Sequence, residues 1–277
     1  MLRQLTFLIL SCAAGVAVAD DCSYRADREF NADAAGLTAL KLSTGAGDLR
    51  IEGVTGLTRI EVHGKACAGT QALLDQVKFD GRREGNAEVL GTVLPETNGS
   101  WMGRDYAYLD VIVKVPMTLA LEVRDSSGDV DVNHVGTISL DDSSGDINIH
   151  DVKGDVRIND SSGDIIVEEV TGNVLIPHDS SGDIRIARVR GNAEVTEDSS
   201  GDINFEHVDG AAKVGSDSSG SISFRYIGRD ASVMEDSSGD IDADAIGGDF
   251  SVQHKSGGAR NIHSSNVAGK THLPNDG

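Results

Sequence analysis

Residues 142–152 read Asp-Ser-Ser-Gly-Asp-Ile-Asn-Ile-His-Asp-Val, and residues 160–170 repeat the phrase as Asp-Ser-Ser-Gly-Asp-Ile-Ile-Val-Glu-Glu-Val. The acidic turn Asp-Ser-Ser-Gly-Asp occurs seven times, once with Ser221 in its last place, and its glycines lie at positions 128, 145, 163, 182, 201, 220 and 239. The repeat thus lengthens slightly over its first steps and then keeps a constant length. Self-similarity at such a short, regular period is typical of a solenoid with one supersecondary unit per coil.

Apolar residues alternate with polar ones inside each repeat. Counted from the glycine, position +2 is Val or Ile in all seven repeats, and apolar residues recur at +4, +7, +11 and +13. An alternation with period two and many β-branched residues predicts strands rather than helices. We therefore expect an all-β, single-domain parallel β-solenoid (β-helix) with 18-19-residue coils. Each coil would hold two strands, two turns and a corner residue at +7, stacked at roughly 4.8 Å.

The regular repeat covers only part of the chain. The phrase Gly47-Asp-Leu-Arg-Ile51 resembles one degenerate coil, whereas residues 70–120 lose the period. We expect residues 20–36, which are polar, to be poorly ordered apart from Cys22. The expected organisation is a signal peptide at 1–19, an irregular N-terminal β cap at 20–120, solenoid repeats at 121–270 and a polar tail at 271–277.

The N-terminus has the pattern of an export signal. Arg3 precedes the apolar run Leu5–Ala19, and Ala17-Val-Ala19 has the small residues of a cleavage site. Lipidation of Cys12 is the alternative. Cleavage after Ala19 leaves 23 Lys and Arg against 45 Asp and Glu, a net charge of −22. Such a charge disfavours nucleic acid and anionic lipid as partners and favours cations or neutral or basic glycans. We expect the protein in the periplasm or at the cell surface, with no membrane span in the mature chain.

Two cysteines survive this cleavage. Cys22 and Cys67 are expected to form one disulfide, because export leads to an oxidising compartment. Two free thiols are the alternative, which thiol titration of the denatured protein distinguishes.

The acidic turns have two interpretations. Asp and Ser oxygens accept turn N–H groups and Gly supplies an unusual backbone conformation, so the turns are favoured as purely structural. The alternative is calcium, a hard cation that takes six to eight oxygen ligands. A calcium ladder would use the two aspartates of successive turns, which form two columns of like charge: Asp142, Asp146, Asp160, Asp164, Asp179, Asp183, Asp198 and Asp202.

No residue pattern points to catalysis. The chain has no Gly-x-Ser-x-Gly motif, and its eight histidines do not fall at one repeat position. Aromatic residues make up only 4% of the chain, fewer than sugar subsites usually need. We predict no catalytic residues and no cofactor other than the possible calcium. A polysaccharide-acting enzyme on a β-helix stays open as an alternative, because such enzymes use carboxylates, which are abundant here.

The repeat Gly-Asp-Ile-x-Ile followed by Val-x-Gly, with the lead-in Val113-Lys-Val-Pro116, resembles a family of bacterial exported β-repeat proteins. It is a domain of unknown function known as the putative adhesin family. The resemblance covers about residues 38–270 and implies an envelope location and adhesion to an unidentified protein or glycan. It carries over no catalytic or binding residues. The leading hypothesis is thus a non-enzymatic, adhesin-like envelope scaffold, with a calcium-stabilised secreted binding module as a further alternative.

Overall fold

The computed structural model describes residues 22–97, 105–256 and 258–274. Its strands form two twelve-stranded sheets, here called sheet A and sheet B. Successive coils add one strand to each sheet, and the repeat strands pair in parallel. The predicted parallel β-solenoid is therefore confirmed. The expected signal peptide at 1–19 and Cys12 lie outside the described residues.

Within the described residues, nine elements precede the repeats. They are β1 Tyr24–Asp33, β2 Ala39–Ser43, β3 Leu49–Val54, β4 Arg59–Ala68, α1 Gln71–Leu74, β5 Lys78–Glu84, β6 Ala87–Val93, β7 Ala107–Pro116 and β8 Ala120–Arg124.

The repeats supply alternating strands to the two sheets. In sheet A these are β9 Val130–Val135, β11 Ile147–Val152, β13 Ile165–Val170, β15 Ile184–Val189, β17 Ile203–Val208, β19 Ile222–Ile227, β21 Ile241–Ile246 and β23 Ile262–Val267. In sheet B they are β10 Thr137–Asp141, β12 Val156–Asn159, β14 Val174–Asp179, β16 Ala193–Asp198, β18 Ala212–Asp217, β20 Ala231–Asp236, β22 Phe250–Lys255 and β24 Thr271–His272. A short 3-10 helix, Gly258–Asn261, precedes β23.

The core consists of columns of equivalent side chains. Ile147 pairs with Ile165, which pairs with Ile184, and all three are 0% exposed. The rings of Phe205 and Phe224, at +4 of adjacent coils, stack with centroids 5.2 Å apart. Each fully buried Val or Ile contributes about 1.5–3 kcal/mol. No coil could bury its apolar face alone, so the stacking of coils creates the core.

Glycine in the acidic turn is required by the neighbouring coil. Gly201 has φ +127°, and a Cβ atom there would lie 1.8 Å from the carbonyl oxygen of Gly182. The other turn glycines have φ between +111° and +136° and meet the preceding coil in the same way. Only a residue without a side chain combines this backbone conformation with so close an approach of two coils.

The residue at +7 is not the separate corner that the sequence suggested. It is the last residue of each sheet A strand and stays in register, as in the pair Val170–Val189. The turn of direction occurs one residue earlier, where the +6 residues have φ between +53° and +60°. These left-handed residues are His134, Asp151, Glu169, Arg188, His207, Tyr226, Ala245 and Asn266. The kink keeps both the +4 and the +7 side chains inside, although an uninterrupted strand would point them to opposite faces.

The change from an 18-residue to a 19-residue repeat is absorbed in sheet B. Arg157 pairs with Leu175, whereas Asn159 pairs with His178, so the separation in sequence between the paired residues grows by one along this pair of strands. The extra residue is a β-bulge, and the columns on either side of it stay aligned.

The N-terminal end differs from the expected disorder of residues 20–36. Tyr24–Asp33 is a ten-residue strand, antiparallel to β4 along its whole length. Strand β4 is in turn antiparallel to β7, and β5 to β6. The polar sequence of β1 suggested disorder because only one of its faces packs on the protein. These antiparallel strands cover the first coil, which a bare solenoid would leave open.

Candidate functional site

The two aspartates of each acidic turn lie in different environments. The first of each pair, here called the inner aspartates, are 1–7% exposed: Asp125, Asp142, Asp160, Asp179, Asp198, Asp217 and Asp236. The second of each pair, here called the outer aspartates, are exposed: Asp129, Asp146, Asp164, Asp183, Asp202 and Asp240. The sequence predicted two similar columns of charge in the turns. Instead, the turn backbone separates an interior column from a surface column.

The outer aspartates join one coil to the next. Asp183 N–H donates to Asp164 Oδ1 at 2.9 Å, and Asp202 N–H donates to Asp183 Oδ1 at 2.9 Å. Where Ser221 replaces the aspartate, its N–H still donates to Asp202 Oδ1 at 2.8 Å. The turn serines add a second ladder, in which Ser200 Oγ donates to the carbonyl oxygen of Ser180 at 3.2 Å. Each such bond contributes about 1 kcal/mol, which gives the acidic turn a structural role without an ion.

The residues considered for calcium are divided between these two columns. Asp142, Asp160, Asp179 and Asp198 are inner aspartates, and Asp146, Asp164, Asp183 and Asp202 are outer ones. Across residues 22–97, 105–256 and 258–274, no group of three or more His, Cys, Asp and Glu side chains has an arrangement that could hold a metal ion. Calcium binding by this ladder stays an untested prediction.

Cys22 and Cys67 are joined by a disulfide in the structure, with their Cα atoms 5.7 Å apart. Cys67 lies in β4, opposite Arg25 of β1. The bond therefore attaches the start of β1 to the sheet that it extends. Thiol titration of the exported protein is the direct test of its presence.

The outward side chains of sheet A vary from coil to coil. They stand at +3, +5 and +6, between inward positions that are apolar in all seven repeats. At +6 alone the chain places acidic, basic, aromatic and small residues on the same left-handed backbone. Glycine would adopt that conformation with less strain, at a saving of about 1–2 kcal/mol. The chain therefore keeps side chains at +6 although they strain the backbone, which indicates a role for these side chains other than folding.

Open cavities of about 270 to 590 Å³ lie on the outer face of sheet A in the described part of the chain. Two of them share Glu206. The first, of about 420 Å³, is lined by Arg185, Arg188 and His207, and the second, of about 580 Å³, by Arg225 and Tyr226 among others. We call these two neighbouring cavities the recess; their lining residues lie on or beside β15, β17, β19, β21 and β23.

A network of ion pairs borders this recess. Arg185 lies between two carboxylates, 2.9 Å from Glu206 and 3.5 Å from Glu168. Arg188 contacts Glu168 at 2.5 Å and Glu169 at 3.3 Å, and the hydrogen bond with Glu168 raises the pKa of the Arg188 guanidinium. These groups are partly exposed, so each pair contributes less than about 1 kcal/mol to stability. The pairs fix the orientation of side chains that a ligand would meet.

The recess also holds an exposed aromatic pair. The rings of His207 and Tyr226 stack with centroids 4.6 Å apart, and Tyr226 is 54% exposed. Nearby, hydrogen bonds from Ser265 and Asn266 lower the pKa of Asp244, so this carboxylate stays ionised. We call Glu206, His207, Arg225, Tyr226, Asp242 and Asp244 the Tyr226 site.

A known family accounts for this architecture. The model of the family described as Toastrack DUF4097 matches residues 67–272. This chain belongs to the Toastrack DUF4097 family. The matched part of the Toastrack DUF4097 chain includes all seven acidic turns and the Tyr226 site.

Solved structures resemble this Toastrack DUF4097 chain at low sequence identity. A putative adhesin from Parabacteroides merdae is 16% identical, with 90% of this chain and 96% of that chain covered and a TM-score of 0.49. A putative lipid binding protein from Parabacteroides distasonis is 15% identical, with 90% and 97% covered and a TM-score of 0.43. A putative adhesin from Bacteroides fragilis is 13% identical, with 91% and 98% covered and a TM-score of 0.37. No curated protein matches the sequence.

Within the described part of the Toastrack DUF4097 chain, no helix has the length and apolar character needed to cross a membrane.

Sequence reasoning missed both the left-handed column and the burial of the inner aspartates. The sequence did contain one signal for the burial of the inner aspartates. Ile138, Leu140 and Asp142 continue a single alternation with period two, which places Asp142 inside. In the later, longer coils the bulge hides this signal. The Tyr226 site had no signal, because its members come from separate coils.

Proposed function

We propose that this chain is a non-enzymatic, exported protein of the cell envelope, located in the periplasm or at the cell surface. It acts as an adhesin-like scaffold whose binding surface is the outer face of sheet A. The observation that carries the proposal is the contrast between uniform inward columns and varied outward ones. A rigid solenoid holds its surface side chains at fixed spacings, and varied side chains at fixed spacings suit recognition.

The Tyr226 site favours a glycan as the ligand. An exposed aromatic ring offers an apolar surface for the carbon–hydrogen face of a sugar, and it also attracts cations. Glu206, Asp242 and Asp244 supply acceptors for hydroxyl or ammonium groups, and Arg225 supplies donors. The chain's formal net charge of −21 repels anionic polymers. Neutral or amine-bearing glycans therefore fit the site best.

Binding to defined glycans tests this proposal. The full exported chain is titrated with a chitosan oligosaccharide, a neutral β-glucan oligosaccharide and, as the anionic comparison, an alginate oligosaccharide. We expect binding to one of the first two, and Tyr226→Ala should weaken it about tenfold or more, as loss of an aromatic anchor does.

The matched control is Met234→Ala, which removes a side chain that is 40% exposed on β20 of sheet B. This variant should bind like the wild type. The proposal fails if no glycan binds, if alginate binds best, or if the two variants lose the same affinity. Turnover of the glycan during the assay would instead favour the enzyme alternative.

A further inference from the structure

The inner aspartates form a buried column through the solenoid. Each carboxyl group has one oxygen that is inaccessible and has no hydrogen-bond partner among the described residues: Oδ2 in the first six and Oδ1 in Asp236. The other oxygen is bound within the turn in several coils. Ser180 N–H, for example, donates to Asp179 Oδ1 at 2.8 Å. Buried polar atoms nearly always have a partner, so seven unpartnered oxygens in one line require an explanation.

The column is continuous and in register. Asp179 pairs with Asp198, which pairs with Asp217, which pairs with Asp236. Neighbouring carboxyl groups are therefore stacked at the strand spacing of roughly 4.8 Å. Like charges this close inside a protein cannot all be ionised, because each raises the cost of charging the next.

The groups that face the column do not compensate such charges. From the turn side, the carboxylates of Asp48, Asp146 and Asp183 act on it, and all three add negative charge. At one end, the uncharged Thr44 hydroxyl donates a hydrogen bond to Asp125 Oδ1. At the other end, the buried ammonium group of Lys255 lies beside Asp236 Oδ2.

Lys255 occupies the next place in the same column. It pairs with Asp236 in register, and its side chain is 2% exposed. Among the described residues, one cation thus accompanies seven carboxyl groups and contacts only the last of them. Protons can neutralise the others without a further cation.

We propose that the inner aspartates form a proton-binding column, in which the carboxyl groups are neutral and only Asp236, beside Lys255, is ionised. A neutral carboxyl group leaves no uncompensated charge on its buried, unpartnered oxygen. Acid therefore stabilises the solenoid, and alkali loosens it by charging its interior. The device is independent of the glycan site, since it lies in the turns and not on the face of sheet A.

The electrostatics of the folded chain agree with this geometry. Burial, followed by the charges of neighbouring aspartates, raises the pKa of Asp179 and Asp217 to about 7. For Asp142 burial is again the largest cause and raises the pKa to about 7, while burial raises the pKa of Asp125 and Asp198 to about 6. For Asp236 burial raises the pKa, and Lys255 opposes that rise.

Isosteric substitution tests the column. The double variant Asp179→Asn and Asp198→Asn replaces two inner carboxyl groups with neutral amides that also carry donors. Its matched control, Asp183→Asn and Asp202→Asn, changes the outer aspartates of the same two turns. Thermal melting midpoints are measured from pH 5 to pH 8.

The wild type and the control should melt at a lower temperature at pH 8 than at pH 5, and the inner variant should lose much of this difference. Equal pH dependence in all three proteins, or a wild-type midpoint that does not change with pH, overturns the proposal. If the inner variant does not fold, carbon-13 NMR of the wild-type aspartate carboxyl groups decides. Several groups titrating between pH 6 and pH 7 support the column, and titration of all groups near pH 4 overturns it.

Discussion

Replacement of Gly201 with alanine should destabilise the solenoid strongly. The new Cβ atom would stand 1.8 Å from the carbonyl oxygen of Gly182, and the residue would keep φ +127°, which L-residues rarely adopt. Backbone strain of this kind costs on the order of 1–3 kcal/mol. The two coils must also separate locally, which weakens the bond from Gly182 N–H to Ser200 O at 3.2 Å and its neighbours, at about 1 kcal/mol each. The total is roughly 2–5 kcal/mol.

Gly85→Ala is the matched control. Gly85 also has a positive φ, +63°, but nothing lies within 4 Å of its added Cβ. It should cost only about 1–2 kcal/mol, the penalty of a left-handed alanine. Urea denaturation of both variants and the wild type measures the free energies of unfolding. If Gly201→Ala is no less stable than Gly85→Ala, close coil contact does not explain the glycine column.

Four further outcomes are expected. The free energy of unfolding should fall from pH 5 to pH 8, because folded carboxyl groups with pKa values of about 7 hold protons that unfolded aspartates release near pH 4. For one such group the loss is about 2–3 kcal/mol by proton linkage. Equal free energies of unfolding in urea titrations at pH 5 and pH 8 would contradict this prediction. Lys255→Met should cost about 3–5 kcal/mol at pH 8 by leaving Asp236 charged and buried alone, and less at pH 5; an equal cost at both pH values argues against an ionised pair. The disulfide Cys22–Cys67 spans 45 residues, so the double variant Cys22→Ser and Cys67→Ser should lose about 2–4 kcal/mol of unfolding free energy. Unchanged stability of this variant, or two titratable thiols in the untreated wild type, would contradict the prediction. Millimolar calcium should leave the melting midpoint unchanged, and a clear rise would restore the calcium ladder.

The core of this protein could be predicted from its repeat. Val and Ile at +2 and +7, with Gly at 0, recur often enough that one stacking arrangement satisfies every coil at once. A single repeat would have been ambiguous between a hairpin and a coil. The recurrence removes the ambiguity, since parallel stacking in register is the arrangement that turns each position into a buried column.

The strands of the N-terminal cap could not be predicted in the same way. Tyr24–Asp33 has few apolar residues, and its strand exists because β4 offers an unpaired edge. An edge strand gains its stability largely from backbone hydrogen bonds, which leave little trace in side-chain pattern. Its partner, Arg59–Ala68, is also remote in sequence, so no local rule pairs them.

By itself, the sequence determined the solenoid, its period, its inward columns and the place of glycine in each turn, because these depend on local alternation repeated many times. The tertiary structure decided which aspartates are inside in the longer coils, because the bulge shifts the alternation there. It also decided which outward side chains meet at the Tyr226 site, because these come from different coils. The burial of the aspartates and the composition of the Tyr226 site both depend on contacts between coils. A sequence repeat shows that coils stack, but it does not show which side chains then meet.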